Sequence, residues 1–142
     1  MSRVSKEEYI IGSISLLANR FAQFGDSIHE DITFKQWFLL LMISKMEDEE
    51  KSLNSIAEFV GTTRQNVKKL IVPLEEKKYV KVKPSKTDSR ALKIELAPKT
   101  HRYFEKHYET TSKKTDELFS KMNENDLDRL IQDLSKLMEC FE

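Results

Sequence analysis

Ile56-Ala57-Glu58-Phe59-Val60-Gly61-Thr62-Thr63-Arg64-Gln65-Asn66-Val67-Lys68-Lys69-Leu70-Ile71 reads as two short helices joined by a tight turn. Ser52 can cap the first, over Leu53 to Val60, and Gly61 ends it, because glycine takes a left-handed cap without steric cost. Thr63 can cap the second. There Val67, Leu70, Ile71 and Leu74 recur as one apolar stripe. Ala57, four residues before Gly61, is small enough to let the helices cross closely. Together these are the parts of a helix-turn-helix. The start of the second helix is polar: Thr63, Arg64, Gln65, Asn66, Lys68 and Lys69. Gln65, Lys68, Lys69 and Val72 point roughly away from the stripe. A helix fits the DNA major groove, and its first turns reach base edges, where Gln or Asn can bond adenine and Arg or Lys guanine. Gln65 and Lys69 are the expected base readers, and Asn66 and Lys68 anchors or mixed contacts. An ordinary exposed helix start would also be polar, so this helix alone leaves both readings open.

The residues that follow favour DNA. Val80 and Val82 alternate with Lys81 and Lys83, and Leu92, Ile94 and Leu96 alternate with Lys93 and Glu95, around a polar stretch from Pro84 to Arg90. That pattern predicts a β-hairpin with a basic loop. A hairpin directly after a recognition helix is a wing, and Lys83, Lys86, Asp88 and Arg90 are its candidate DNA residues. Arginine at a loop tip suits the negative potential of a narrow minor groove. Asp88 is out of place beside phosphates unless it holds the Arg90 side chain by a charge-assisted hydrogen bond. The plainer alternative is that Asp88 favours the turn.

Helices are expected on both flanks. Ile10, Ile14, Leu17, Phe21 and Phe24 place a first helix over about Ser5 to Phe24, broken by Gly25 to Ile32. Thr33 and Gln36 form a capping box for a second, nearly all-apolar helix, with Ile32 and Trp37 as its hydrophobic staple. Pro98 suits the start of a fifth helix reaching about Met122. A last helix, about Glu124 to Phe141, carries Leu127, Leu130, Ile131, Leu134, Leu137, Met138 and Phe141 at alternating steps of three and four, a helix-packing seam. The seam and the first heptad leave two large apolar faces, which predicts a homodimer across a two-fold axis. Its candidate interface residues are Ile10, Ile14, Leu17, Leu127, Leu130, Leu134 and Leu137.

Bulk composition agrees. The chain has 142 residues and no net charge, a length that suits one domain. Between Thr62 and Arg102, 12 Lys or Arg face 4 acidic residues. A basic third on an acidic body suits an anion-binding module, although most charge runs are merely solvated. The single cysteine, Cys140, forbids an internal disulfide, residues 1–8 lack the apolar core expected of a signal peptide, and the longest apolar run, Trp37 to Ile43, is shorter than a membrane span needs. The expected setting is the cytoplasm, away from membranes.

At this point the chain resembles the MarR family of transcriptional regulators. The resemblance rests on the stretch quoted first, on Leu74-Glu75-Glu76-Lys77-Lys78-Tyr79-Val80 after it, and on Asp88-Ser89-Arg90-Ala91-Leu92, which is similar to the family's Asp-x-Arg wing signature. The helix order resembles the family's as well. The resemblance implies an obligate homodimer, built from the terminal helices, on palindromic double-stranded DNA, with a small-molecule effector between the dimer region and the DNA-binding lobe. Departures are Pro73 inside the recognition helix, where proline should bend it, a wing loop without glycine, and a fifth helix starting Ala97-Pro98-Lys99. The expected fold is mainly α with a small β-hairpin wing: a winged helix-turn-helix in a single domain over 1–142. Residues 5–32 and 100–142 are dimerisation helices, and 33–98 the DNA-binding lobe. The expected function is a sequence-specific transcriptional regulator, in the repressor form released by ligand. The alternative is a winged helix serving protein–protein contact without DNA.

Other chemistry has little footing. There is no nucleophile elbow, phosphate loop or dinucleotide fingerprint, so no catalytic residue, cofactor or enzyme activity is expected. His101 and Glu105, with His29 and Glu30, make too sparse a set for metal, and no metal is expected. Cys140 reads as a packed thiol ending the last helix. The aromatics Phe24, Phe34, Trp37, Phe38, Tyr103, Phe104 and Tyr108 could line a ligand pocket, but at helical spacing they read first as core.

Overall fold

A computed structural model describes residues 1–88 and 90–142. Ser89, part of the wing signature, lies outside the described residues. The elements run α1 (Arg3–Ile28), α2 (Phe34–Lys45), α3 (Leu53–Val60), α4 (Arg64–Glu76), β1 (Val80–Pro84), β2 (Leu92–Leu96), α5 (Pro98–Leu118) and α6 (Glu124–Glu139). This is the mainly helical fold with a two-stranded wing that the periodicities predict. The chain divides into two compact units, 1–105 and 106–142.

In the first unit the core gathers the stripes of three short helices and the inner face of the hairpin. Leu39, Leu40 and Ile43 come from α2, Ile56 and Ala57 from α3, and Val67, Ile71 and Leu74 from α4. Val80, Ile94 and Tyr79 close the cluster. Each buried aliphatic side chain contributes about 1.5–3 kcal/mol relative to exposure. The caps are as read. The Thr33 hydroxyl accepts from Gln36 N–H at 3.2 Å, and Gln36 Oε1 accepts from Thr33 N–H at 3.0 Å. Gly61 sits at φ 78°, ψ 34° and donates to the Ala57 carbonyl at 3.0 Å. The strands pair antiparallel, with Val82 opposite Ile94 and Lys83 opposite Lys93. Like charges facing each other repel. Glu95 removes the conflict by binding both lysines at 3.0 Å.

Several boundaries differ from the sequence reading. Helix α1 runs through Gly25 to Ile28. Gly25 is there for closeness of packing: a Cβ on it would lie 2.1 Å from Phe34 Cδ2. Asp26 then accepts the Phe34 N–H at 2.7 Å, joining the end of α1 to the first turn of α2. Helix α4, by contrast, holds Pro73 inside it and runs to Glu76, as the place of Leu74 on its stripe expects; the proline forfeits its own main-chain donor. A left-handed Lys78, at φ 67°, then turns the chain, with Lys78 and Tyr79 N–H donating to the Glu75 and Leu74 carbonyls, both at 2.9 Å. No glycine marks this turn.

In the second unit, Asn123 and Asp126 cap α6 reciprocally: Asn123 Oδ1 accepts from Asp126 N–H at 2.9 Å, and Asp126 Oδ2 from Asn123 N–H at 3.1 Å. Helix α6 buries none of its residues. Cys140 is exposed, which corrects the expectation of a packed thiol: the helix it ends has no buried face for it to join.

Candidate nucleic-acid interface

The stripe of α4 decides which way its polar residues face. Val67 and Ile71 are buried one turn apart, so Arg64, Gln65, Asn66, Lys68 and Lys69 are turned to solvent. Thr63 caps the helix through its hydroxyl, which accepts from Asn66 N–H at 3.2 Å. Asn66 is less available than the other polar residues, because its side-chain amide donates to the Thr62 hydroxyl at 3.0 Å. That bond favours its expected part as an anchor over base reading.

The wing supplies a second exposed cationic edge. Lys86 and Arg90 are exposed, as are Lys83 and Asp88. Lys83 is engaged by Glu95, whose carboxyl the hydrogen bonds and charges of Lys83 and Lys93 push down to about 2. Asp88 does not hold Arg90 as expected. Its Oδ1 accepts from the Arg90 backbone N–H at 2.9 Å, and no ion pair joins the two side chains among the described residues. The physical reason is reach: a carboxylate two residues ahead meets the main-chain amide in an Asx turn. One cleft is lined by Asn54 of α3, Arg64 at the head of α4, and Asp88 and Arg90 of the wing. The helix and wing candidates thus meet around Arg64.

Sequence reasoning missed what holds the wing in place. Glu50, in the α2–α3 loop, accepts from Ser85 Oγ, from Lys86 N–H at 3.0 Å and from Thr87 Oγ1 at 3.0 Å. The next residue, Lys51, accepts the Ile94 N–H of β2 on its carbonyl at 2.7 Å. These partners lie 35 to 37 residues from Glu50, and no local pattern could have announced them.

A polar cluster anchors the far end of α4. The Tyr79 hydroxyl donates to Asp31, and Thr100 Oγ1 donates to the Tyr79 carbonyl at 2.6 Å. Lys99 Nζ sits 4.4 Å from the centre of the Tyr79 ring. The Tyr79 bond, helped by Lys77 and Lys99, holds the Asp31 carboxyl below its usual range despite partial desolvation. Burial pushes the neighbouring Tyr103 up to about 12. His29, considered above beside metal chemistry, is buried with Nδ1 2.7 Å from the Tyr103 hydroxyl and its ring stacked on Trp37. Of the aromatic set, Tyr103 belongs to the core, with Trp37 and Phe104 packed against it. Tyr108 is exposed. Helices α1 and α6 present Ile10, Ile14, Leu17, Leu130 and Leu134 to solvent, with Leu127 and Leu137 half-buried. Among the described residues no helix is long and apolar enough to cross a membrane.

Comparison with known proteins bears on the whole arrangement. Residues 30–91, which span α2, the helix-turn-helix and most of the wing, match the MarR family model. No curated protein matches the chain. Among solved structures it is similar to a MarR/EmrR family transcriptional regulator from Acinetobacter sp. ADP1, with 22% identity over 95% of this chain and 96% of that one, at a TM-score of 0.79. The transcriptional regulator BldR from Sulfolobus solfataricus is similar at 18% identity, covering 98% and 99% of the two chains, with a TM-score of 0.80. MepR of S. aureus, solved as a complex with DNA, is similar at 23% identity, 94% and 96% coverage and a TM-score of 0.78.

Proposed function

We propose, from a chain with the fold of the MarR-family transcriptional regulators and a match to that family over residues 30–91, that this protein is a homodimeric repressor of a palindromic operator. The observation that carries the proposal is the solvent-facing polar side of α4, Arg64 to Lys69, beside a cleft shared with Arg90. Thr63, Arg64, Gln65, Asn66, Lys68 and Lys69 enter the major groove, with Gln65 and Lys69 at base edges. Lys86 and Arg90 follow the wing to the backbone and minor groove. Lys83 reaches phosphate only by exchanging its bond to Glu95, and Asp88 acts by shaping the Arg90 backbone.

The domain plan follows the same reading: 33–98 binds DNA, while 5–32 and 100–142 supply the dimer contacts. Ile10, Ile14, Leu17, Leu127, Leu130, Leu134 and Leu137 are covered by a second copy. The exposure of an apolar stripe along α6 supports this, since a monomer gains nothing by wetting it. Release by a small molecule, implied by the family resemblance, completes the proposal.

Selection of bound sequences from random duplexes tests it. The expected product is a palindrome whose half-sites are centred about one helical turn apart, roughly 10 base pairs. Gln65→Ala should lose about 1–3 kcal/mol on that duplex and relax preference at one position per half-site. Failure to enrich any sequence, with no salt-dependent affinity, would leave the winged helix as a protein-contact module instead.

A further inference from the structure

We propose that Glu50 is a positioning residue for DNA binding: its carboxylate, clamped on Ser85, Lys86 and Thr87, sets where the wing carries Lys86 and Arg90. The inference rests on the reading of the wing as a DNA contact. The clamp begins outside the wing, on the loop that leads into the helix-turn-helix. Glu50 takes three hydrogen bonds, from Ser85 Oγ, Lys86 N–H and Thr87 Oγ1. Ser85 Oγ passes the order on, accepting Thr87 N–H and Asp88 N–H at 3.1 Å each. Asp88 in turn accepts the Arg90 N–H at 2.9 Å. The bonds thus run without a break from the α2–α3 loop to the Arg90 main chain. Ser85 N–H to the Ala91 carbonyl at 3.0 Å and Ala91 N–H to the Asp88 carbonyl at 3.1 Å close the loop on itself. The donors also hold the Glu50 carboxyl below its usual range, Ser85 first and the Lys86 amide next. The clamp therefore keeps its charge near neutral pH.

The charge makes the assignment testable, because two effects of removing it have opposite signs. A carboxylate beside a DNA-facing wing repels phosphate, so on electrostatics alone Glu50→Gln should tighten binding. As a clamp, Glu50 contributes order, and losing it lets the wing wander. A loop that must then be ordered on binding costs affinity. Glu49, exposed on the same loop, provides the charge control.

The probe is a duplex selected from random DNA by the unaltered protein, titrated at several salt concentrations. Glu50→Gln should weaken binding on the order of tenfold, as expected for a lost charged hydrogen bond, and lower the salt slope by about one unit as one phosphate contact is lost. Glu49→Gln should bind as well as the parent or better. Amide exchange at Lys86 and Thr87 should accelerate in Glu50→Gln without DNA, with the melting temperature of the lobe unchanged. Ser85→Ala removes the relay from the other side, and combined with Glu50→Gln it should add little. If Glu50→Gln fails to fold, Ser85→Ala carries the test alone. Binding that tightens or holds in Glu50→Gln, while Arg90→Ala weakens it, overturns the positioning role and leaves the DNA-bound wing standing. Unchanged binding by Arg90→Ala removes the wing from the DNA, and this inference with it.

Discussion

Helices α4 and α6 carry similar apolar stripes and meet opposite ends. In α4, Val67 and Leu74 are wholly buried and Ile71 nearly so. In α6, Leu130 and Leu134 remain 40% and 41% exposed, and Ile131 and Met138 are wetter still. Period and hydrophobicity say that a stripe exists; they do not say what lies across from it. The α4 stripe is matched within the chain by α2, α3 and the hairpin. That of α6 stays exposed, and its covering by a second copy is the reading proposed above. Helix α1 repeats the contrast along its own length: its last turn is part of the lobe through Gly25, whereas Ile10, Ile14 and Leu17 are exposed.

The contrast can be broken most severely in the core. Leu74→Ala should destabilise the lobe by about 2–5 kcal/mol in a denaturant melt, whereas Leu134→Asp should leave the lobe's own melting intact and convert a dimer to a monomer in sedimentation. If Leu134→Asp sediments as the parent does, α6 is not the interface and the contrast loses its meaning. Next in size is Gly25→Ala. The new methyl would collide with Phe34, and crowding of this kind costs about 1–3 kcal/mol. A parent-like melting curve would show that the end of α1 yields easily and is no part of the lobe.

The smallest effect concerns the hairpin. Glu95 has its carboxyl pushed from 4.5 to about 2, first by Lys83 and then by Lys93. A carboxyl depressed on folding stabilises above its unfolded value, and that contribution fades as pH falls toward the folded one. Stability from this group should be flat above pH 5 and drain away between about 4.5 and 2. Carboxyl NMR should show Glu95 titrating near 2; titration close to 4.5 would mean that the two lysines do not hold it in solution.

What could be read beforehand follows from range along the chain. The caps at Thr33, Ser52 and Thr63, the left-handed Gly61 and the alternation of the hairpin strands all rest on residues within a few positions of each other or on a period of two. Such features leave a local imprint. The Glu50 clamp, the Lys51 bridge to β2 and the Tyr79–Asp31 bond join residues tens of positions apart and leave none. Gly25 misled for a related reason: glycine usually ends a helix, and only the approach of Phe34 explains one inside. Lys78 adopts a turn usually given to glycine, at a strain of roughly 1–2 kcal/mol, so composition could not flag it. Of the candidate site, the exposed face of α4 was legible because its buried face was. Asp88 was assigned to the right neighbour but to the wrong atoms, since sequence spacing does not separate a side-chain partner from a main-chain one.

Tyr79 has a consequence beyond the bonds it makes. Its hydroxyl is tied to Asp31 just after α1, and its carbonyl to Thr100 at the start of α5. It stands just beyond α4, at the end opposite Arg64. Helix α4 has 13 residues, and at 1.5 Å per residue it is a rod of about 20 Å. Pivoting that rod by roughly 5° at Tyr79 would carry its Arg64 end through about 1.7 Å by the same rise. Useful N–H···O hydrogen bonds occupy a window of only about 0.5 Å. A small angular change at the Tyr79 end would therefore be magnified at the end that carries Arg64 and Gln65.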